Sequence, residues 1–142
     1  MSRLQQADRI VAGMLARDSF SRWLGIEVVA LEAGSCTCRL TVRDDMLNGL
    51  GVVHGGVAYS LADSTLAFAC NGLGQVTVSI ENGIRYPAPV RPGDVLTAVV
   101  EPAGGSKRLG YYTGRITRDD GTVVGLFTGT VYRTDKAHSS DD

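Results

Sequence analysis

The sequence predicts an α+β domain in which one long central helix is wrapped by a curved antiparallel sheet, with a further helix at the N-terminus. Three observations predict it. Gly55 to Cys70 is alanine-rich and apolar almost all round, as a helix buried on most sides is. From Gln75 onward the apolar period changes from helical to two, over four successive segments. The chain has 142 residues, enough for one core, and no internal repeat or linker divides it.

Taken in order, Leu4, Ala7, Val11, Met14 and Leu15 recur at helical spacing and predict an amphipathic helix over residues 3–17. Phe20, Trp23 and Leu24 carry its apolar face on to Gly25, and Ile26 to Leu31 reads as a strand. In Ser35 to Arg43, Cys36, Cys38, Leu40 and Val42 alternate with Thr37, Arg39, Thr41 and Arg43, the pattern of a half-buried strand. A glycine-rich lead-in, Asn48 to Gly56, enters the central helix, and Asn71-Gly72 ends it. Gln75 to Tyr86, Val95 to Glu101, Lys107 to Arg118 and Thr122 to Arg133 are then expected as four strands in meander. Their turns are assigned to Pro92-Gly93-Asp94, Gly104-Gly105 and Asp119-Asp120-Gly121. One domain is expected over residues 1–134, with 135–142 a polar, flexible tail. A single curved sheet leaves edges and an open face, so a dimer or a higher oligomer is expected.

Composition excludes several functions. A net charge of −1 gives no reason to expect nucleic acid or an anionic membrane as partner. The three cysteines lack zinc-ligand spacing, so Cys36 and Cys38 read as core residues of a strand in a reducing compartment, and no metal site is expected. Arg3, Asp8, Arg9 and Arg17 interrupt the N-terminus, which has no signal-peptide h-region, and no segment reaches transmembrane length. A soluble cytoplasmic protein is the expectation. Gly-x-Ser-x-Gly and P-loop motifs are absent, and Gly49 to Gly56 lacks the acidic residue and βαβ context of a dinucleotide fingerprint.

One residue stands out against this background. Between Met46 and Ile80 the only formal charge is Asp63, inside the apolar run Val57 to Cys70. A lone carboxylate in a segment that should be buried is costly, and no Lys or Arg within ten residues can pair with it. Its bland reading is a structural acid that caps a neighbouring element or pairs with an arginine such as Arg85. Two turns earlier the same helix begins at Gly55, where backbone N–H groups stand exposed. A buried acid and a helix N-terminus together look like an active site.

The motifs Met46-Leu47-Asn48-Gly49, His54-Gly55-Gly56, Ser60-Leu61-Ala62-Asp63 and Ala69-Cys70-Asn71 resemble the signature of hotdog-fold acyl-CoA thioesterases, most closely the phenylacetic acid degradation type. The resemblance extends through Leu24-Gly25-Ile26, Arg91-Pro92-Gly93-Asp94 and the end strand Phe127 to Arg133, nearly the whole chain. The Asn-x5-His-Gly-Gly-x6-Asp spacing is its specific part. It implies hydrolysis of an aryl-acetyl-CoA such as phenylacetyl-CoA, or of its hydroxylated derivatives, without a metal or organic cofactor. The alternatives are a hotdog thioesterase for other aromatic or medium-chain acyl-CoAs, a hotdog dehydratase or hydratase, and a non-catalytic acyl-CoA-binding module. Only His54 is available for the acid–base pair of a hydratase, and the retained acid argues against a mere binder.

The residues fit hydrolysis on their own terms. Asp63 suits a general base on water, or a nucleophile giving a mixed anhydride; Gly55 N–H suits the charge that forms on the thioester oxygen. Along one helix these two are about 12 Å apart, whereas reacting groups must meet within roughly 3–3.5 Å. Two antiparallel helices about a two-fold axis near Tyr59 would place Asp63 opposite Gly55 of the partner subunit. Composite sites at a homodimer interface follow, and the resemblance implies the same arrangement, in a dimer of dimers. It also implies that Asn48 orients water or thioester, where the bland reading is a turn residue. His54 and Gly56 read as supports that shape the loop presenting Gly55. Ser64, where the resembled family carries Thr, keeps a hydroxyl; its bland reading is a back-bond to the preceding helical turn. Coenzyme A phosphates call for a basic rim, for which Lys107, Arg108 and Arg85 are the candidates, with Arg91 a weaker one. Leu50, Val53, Leu61 and Phe68 are the candidate pocket lining.

Overall fold

The computed structural model describes residues 1–139. Helix α1, Arg3–Arg17, starts at a reciprocal cap: the Ser2 hydroxyl accepts the Gln5 N–H while the Gln5 side chain accepts the Ser2 N–H. It buries Ala7, Ile10 and Val11. The apolar face does not run on continuously, because the chain breaks at Asp18. The Asp18 carboxylate accepts the Ser21 N–H and opens a second short helix, α2, Ser19–Leu24.

Strands β1, Glu27–Glu32, and β2, Ser35–Thr41, form a hairpin, with Cys36, Cys38 and Leu40 of β2 turned inward and buried. Helix α3, Gly55–Asn71, follows, then β3, Gln75–Arg85, β4, Val95–Gly105, β5, Leu109–Thr117, and β6, Val123–Ala137. The six strands form one antiparallel sheet in the order β1-β2-β4-β5-β6-β3. Its inner face packs on α3: Leu61, Leu66 and Phe68 of the helix meet Leu96, Val100, Ile116, Phe127 and Val131 of the sheet in one core.

Three expectations are corrected here. The four later strands are not a full meander: β4, β5 and β6 are, but β3 lies beyond β6 at the sheet edge. The connection from β3 to β4, residues 86–94, carries Pro87, Pro89 and Pro92, which cannot supply ladder N–H groups, so it crosses over instead of turning tightly. Gly104-Gly105 is not a turn either. Both residues pair with β5, and the reversal falls at Ser106–Arg108, closed by the Ser106 N–H on the Leu109 carbonyl. Residues 135–137, assigned to the tail, complete β6, where Ala137 pairs with Gln75. The His138 N–H continues onto the Gly74 carbonyl, and the last three residues of the expected tail lie outside those described.

A bulge on β3 matters for the site. Ser79 pairs with Val131, but Glu81 pairs with Thr130, so Ile80 is an extra residue on β3. Thr77 and Ser79 oppose inward-facing positions of β6; after the bulge Asn82 and Ile84 do so, opposite Gly129 and Phe127.

Candidate active site

Helix α3 is built to present its first turn. His54 is the N-cap, and its Nδ1 accepts the Gly56 N–H at 2.8 Å, while its carbonyl accepts the Val57 N–H at 3.0 Å. Its own N–H is held by the Met46 carbonyl at 2.8 Å, which anchors the loop. Among the described residues the Gly55 N–H has no acceptor, so this donor remains available at the positive end of the helix. Position 55 tolerates no side chain without displacement: a Cβ would stand 3.1 Å from the Tyr86 hydroxyl oxygen, which donates to the Gly55 carbonyl at 2.7 Å.

Asp63 lies on the same helix, half-buried, and no ion pair reaches it among the described residues. The bland reading, a pair with Arg85, is overturned by the β3 alternation. Arg85 pairs with Leu126 on the outer face of the sheet, where it lines a cleft of about 800 Å³ with Arg115 and Glu101. The partner of Asp63 is Asn82, whose Nδ2 donates to Oδ1 at 2.9 Å. Burial pushes the Asp63 carboxyl above its ordinary range, the Asn82 hydrogen bond opposes that, and the nearby Asp18 carboxylate adds to it. Asn82 on β3 and Tyr86, one residue past its end, thus reach Asp63 and Gly55 from one extended stretch of chain. Four residues of β3 span about 13 Å and eight residues of α3 about 12 Å, so strand and helix match in pitch.

The remaining expected residues divide. The Asn48 Oδ1 accepts from the N–H groups of Leu50, 2.9 Å, and Val52, 3.2 Å, a turn role that leaves its Nδ2 as the group available to a substrate. The Ser64 hydroxyl does not bond back to its own helix; it meets the Ser21 hydroxyl at 2.7 Å, and Ser21 donates to Asp18 at 2.5 Å. The back-bond is made by Thr65, onto the Leu61 carbonyl. Neither Asp18 nor Ser21 was foreseen at this site.

A cleft of about 520 Å³ opens beside Gly55, walled by Val52, Val53, Ala58, Ala88, Pro89 and Val90. Of the expected lining only Val53 is there. Leu61 and Phe68 belong to the sealed core, and Leu50 is 87% exposed at the loop tip. Arg91, the weaker candidate, lines this cleft with Gly55. Lys107 and Arg108 sit at the β4–β5 reversal, where the Arg108 carbonyl accepts the Arg133 N–H, and Arg108 is paired with Asp135 at 2.7 Å. Within one protomer they do not meet Gly55.

Comparison with known proteins gives a consistent picture. The family model described as the thioesterase superfamily matches residues 50–125. Over 120 residues the chain is 34% identical to acyl-coenzyme A thioesterase PaaI of Escherichia coli strain K12, covering 84% of this chain and 86% of that protein. It is 32% identical over 108 residues to acyl-coenzyme A thioesterase 13 of Homo sapiens, covering 72% and 77%. Among solved structures, the E. coli PaaI protein from the phenylacetic acid degradation operon superposes with a TM-score of 0.92 at 31% identity. That match covers 97% of this chain and all of the other.

Proposed function

The chain belongs to the thioesterase superfamily, among its PaaI-like hotdog thioester hydrolases, and from that premise we propose that it hydrolyses an aryl-acetyl-CoA such as phenylacetyl-CoA to the free acid and coenzyme A. The observation that carries the proposal is a half-buried carboxylate with no cation partner among the described residues, on the helix whose first N–H has no acceptor among them. Gly55 N–H binds the thioester oxygen as negative charge develops there. Asp63, with one oxygen held by Asn82 and the other open, takes a proton from water as it attacks the carbonyl carbon, or attacks that carbon itself. The carbon–sulfur bond breaks and coenzyme A leaves as the thiol, with the proton taken from water; where Asp63 itself attacks, that water cleaves the acyl–Asp63 anhydride to the free acid and restores the carboxylate. Asn48, through its Nδ2, orients water or thioester; His54 and Gly56 hold the loop that presents Gly55; Ser64 fixes the turn behind Asp63 through Ser21.

In this reading the Asp63 of one protomer works with Gly55 of the partner subunit. Two features support that pairing. Tyr59, Ser60, Asp63, Ser64 and Ala67 form the one incompletely covered stripe of α3. Beside it the edge strand β3 exposes Val78 and Ile80, at 49% and 57%. Two such dimers pair in the proposed assembly. The aryl-acetyl group enters the apolar cleft beside Gly55, with Arg91 at that cleft and Lys107 and Arg108 as further cations for the coenzyme A phosphates; Arg85, on the outer face, is the weakest of the set.

The test is thiol release from phenylacetyl-CoA by wild type and Asp63→Asn, with folding of both verified. Loss of several orders of magnitude in the variant supports the reading. Equal turnover by both removes Asp63 from the chemistry, and no turnover of this or other aryl acyl-CoAs by wild type sinks the substrate class.

A further inference from the structure

We propose that Asn82 is the positioning residue for Asp63: it fixes one carboxylate oxygen so that the other faces the thioester and its attacking water. The inference rests on the reading of Asp63 as the reacting acid. The Asn82 amide makes the one side-chain hydrogen bond to Asp63 among the described residues, at 2.9 Å. An arginine in its place would neutralise the carboxylate and weaken it as a base. A neutral amide orients it and keeps its charge, and lowers its basicity only in part, since burial still holds the carboxyl above its ordinary range.

Two further observations separate this from ordinary packing. The other end of the amide, Asn82 Oδ1, is buried and accepts no hydrogen bond among the described residues. A purely structural side chain there would be better apolar, since a buried unpaired acceptor destabilises the fold. The amide stays in this orientation because the reverse one would set its carbonyl oxygen against the ionised carboxylate. The sheet also makes room for it. Asn82 pairs with Gly129 on β6, and a Cβ at position 129 would come within 2.9 Å of Asn82 Oδ1 and 2.6 Å of the Leu66 side chain. Any side chain at position 129 would therefore disturb the amide that holds Asp63.

The titratable groups coupled to Asp63 are Asp18, at the corner between α1 and α2, and Cys70, one helical stretch further along α3. Asn82 is the group that opposes burial by holding the ionised form. Its removal therefore moves the Asp63 titration to higher pH, and the acid limb of kcat/KM moves with it.

The experiment is the pH profile of kcat/KM, with kcat, KM and thermal melting, for Asn82→Ala and the isosteric Asn82→Asp. For Asn82→Ala we expect kcat about 10- to 100-fold lower, KM within about two-fold, the acid limb at higher pH, and a Tm equal to or above that of wild type. Asn82→Asp sets a second carboxyl against Asp63 and should move the limb further. Wild-type kcat and limb in Asn82→Ala overturn the proposal, as does a loss of kcat that tracks a fall in Tm with the limb unmoved. Should Asn82→Ala not fold, a wild-type limb in Asn82→Asp overturns it equally. Asp63→Asn in the same assay separates the two readings: if it keeps wild-type turnover, Asp63 is not the acid, whatever Asn82 does. If both hold, adding Asn82→Ala to Asp63→Asn costs nothing further.

Discussion

Asp63 holds its charge in a half-buried position, with the Asn82 amide as its one side-chain hydrogen-bond partner among the described residues and the Asp18 carboxylate nearby. Its folded-state titration lies above that of the unfolded chain, so the unfolded state gives up the proton first as pH rises. The stability this group contributes is present in acid and is lost as pH rises through the folded value. Asp63→Asn should therefore melt at a higher temperature than wild type at pH 7, and calorimetry should show that advantage shrinking as pH falls toward the ordinary carboxylate range. An advantage that grows in acid would mean that the carboxylate is held by a partner the structure does not contain. At this scale the sequence was readable where a residue broke a pattern. Asp63 announces itself as a charge in an apolar run, and Gly55 and His54 as a helix start. Asn82 and Tyr86 were not readable, because a polar residue in a β segment is ordinary and its facing depends on register. Strict alternation from Thr77 turns Glu81 inward and Asn82 outward; the bulge at Ile80 reverses that.

Among the elements, α3 and the alternation of β2 follow from local periodicity. The place of β3 does not, because pairing with β6 is a contact across most of the later chain and no local signal encodes it. The crossover from β3 to β4 is shaped by Pro87, Pro89 and Pro92 and then tied down from a distance. Arg118, at the end of β5, donates to the Pro89 carbonyl at 2.9 Å while its other nitrogen holds Asp120 and Thr122. Ala88, Pro89 and Val90 wall the cleft beside Gly55, so this arginine keeps that wall in place. Arg118→Ala should lower stability by about 1–3 kcal/mol in chemical denaturation and raise KM more than it lowers kcat. An unchanged KM would mean that the wall stands without the tether.

For the molecule as a whole, the separation of Gly55 and Asp63 along one rigid helix makes subunit pairing part of the proposed chemistry. Asp63→Asn chains and chains with a bulky residue at position 55 should each be inactive. Mixed and allowed to exchange, they should recover about one quarter of wild-type activity, since random pairing makes half the dimers mixed and each of those holds one intact site. No recovery after exchange verified by mass spectrometry would place each site within a single chain. The bulge on β3 has a consequence of another kind. Ile80 is an exposed residue on an outer strand, the sort of place where a one-residue deletion passes as harmless. Removing it would leave Glu81 opposite Thr130 and Asn82 opposite Gly129 in unbroken alternation, with the amide still beside Asp63. The danger is the opposite change: a ladder that took Ile80 in line opposite Thr130 would turn Glu81 toward the central helix in place of Asn82, and an acid would meet an acid. A sheet more regular than the natural one, with no residue lost, would be left with the wrong group beside the reacting carboxylate.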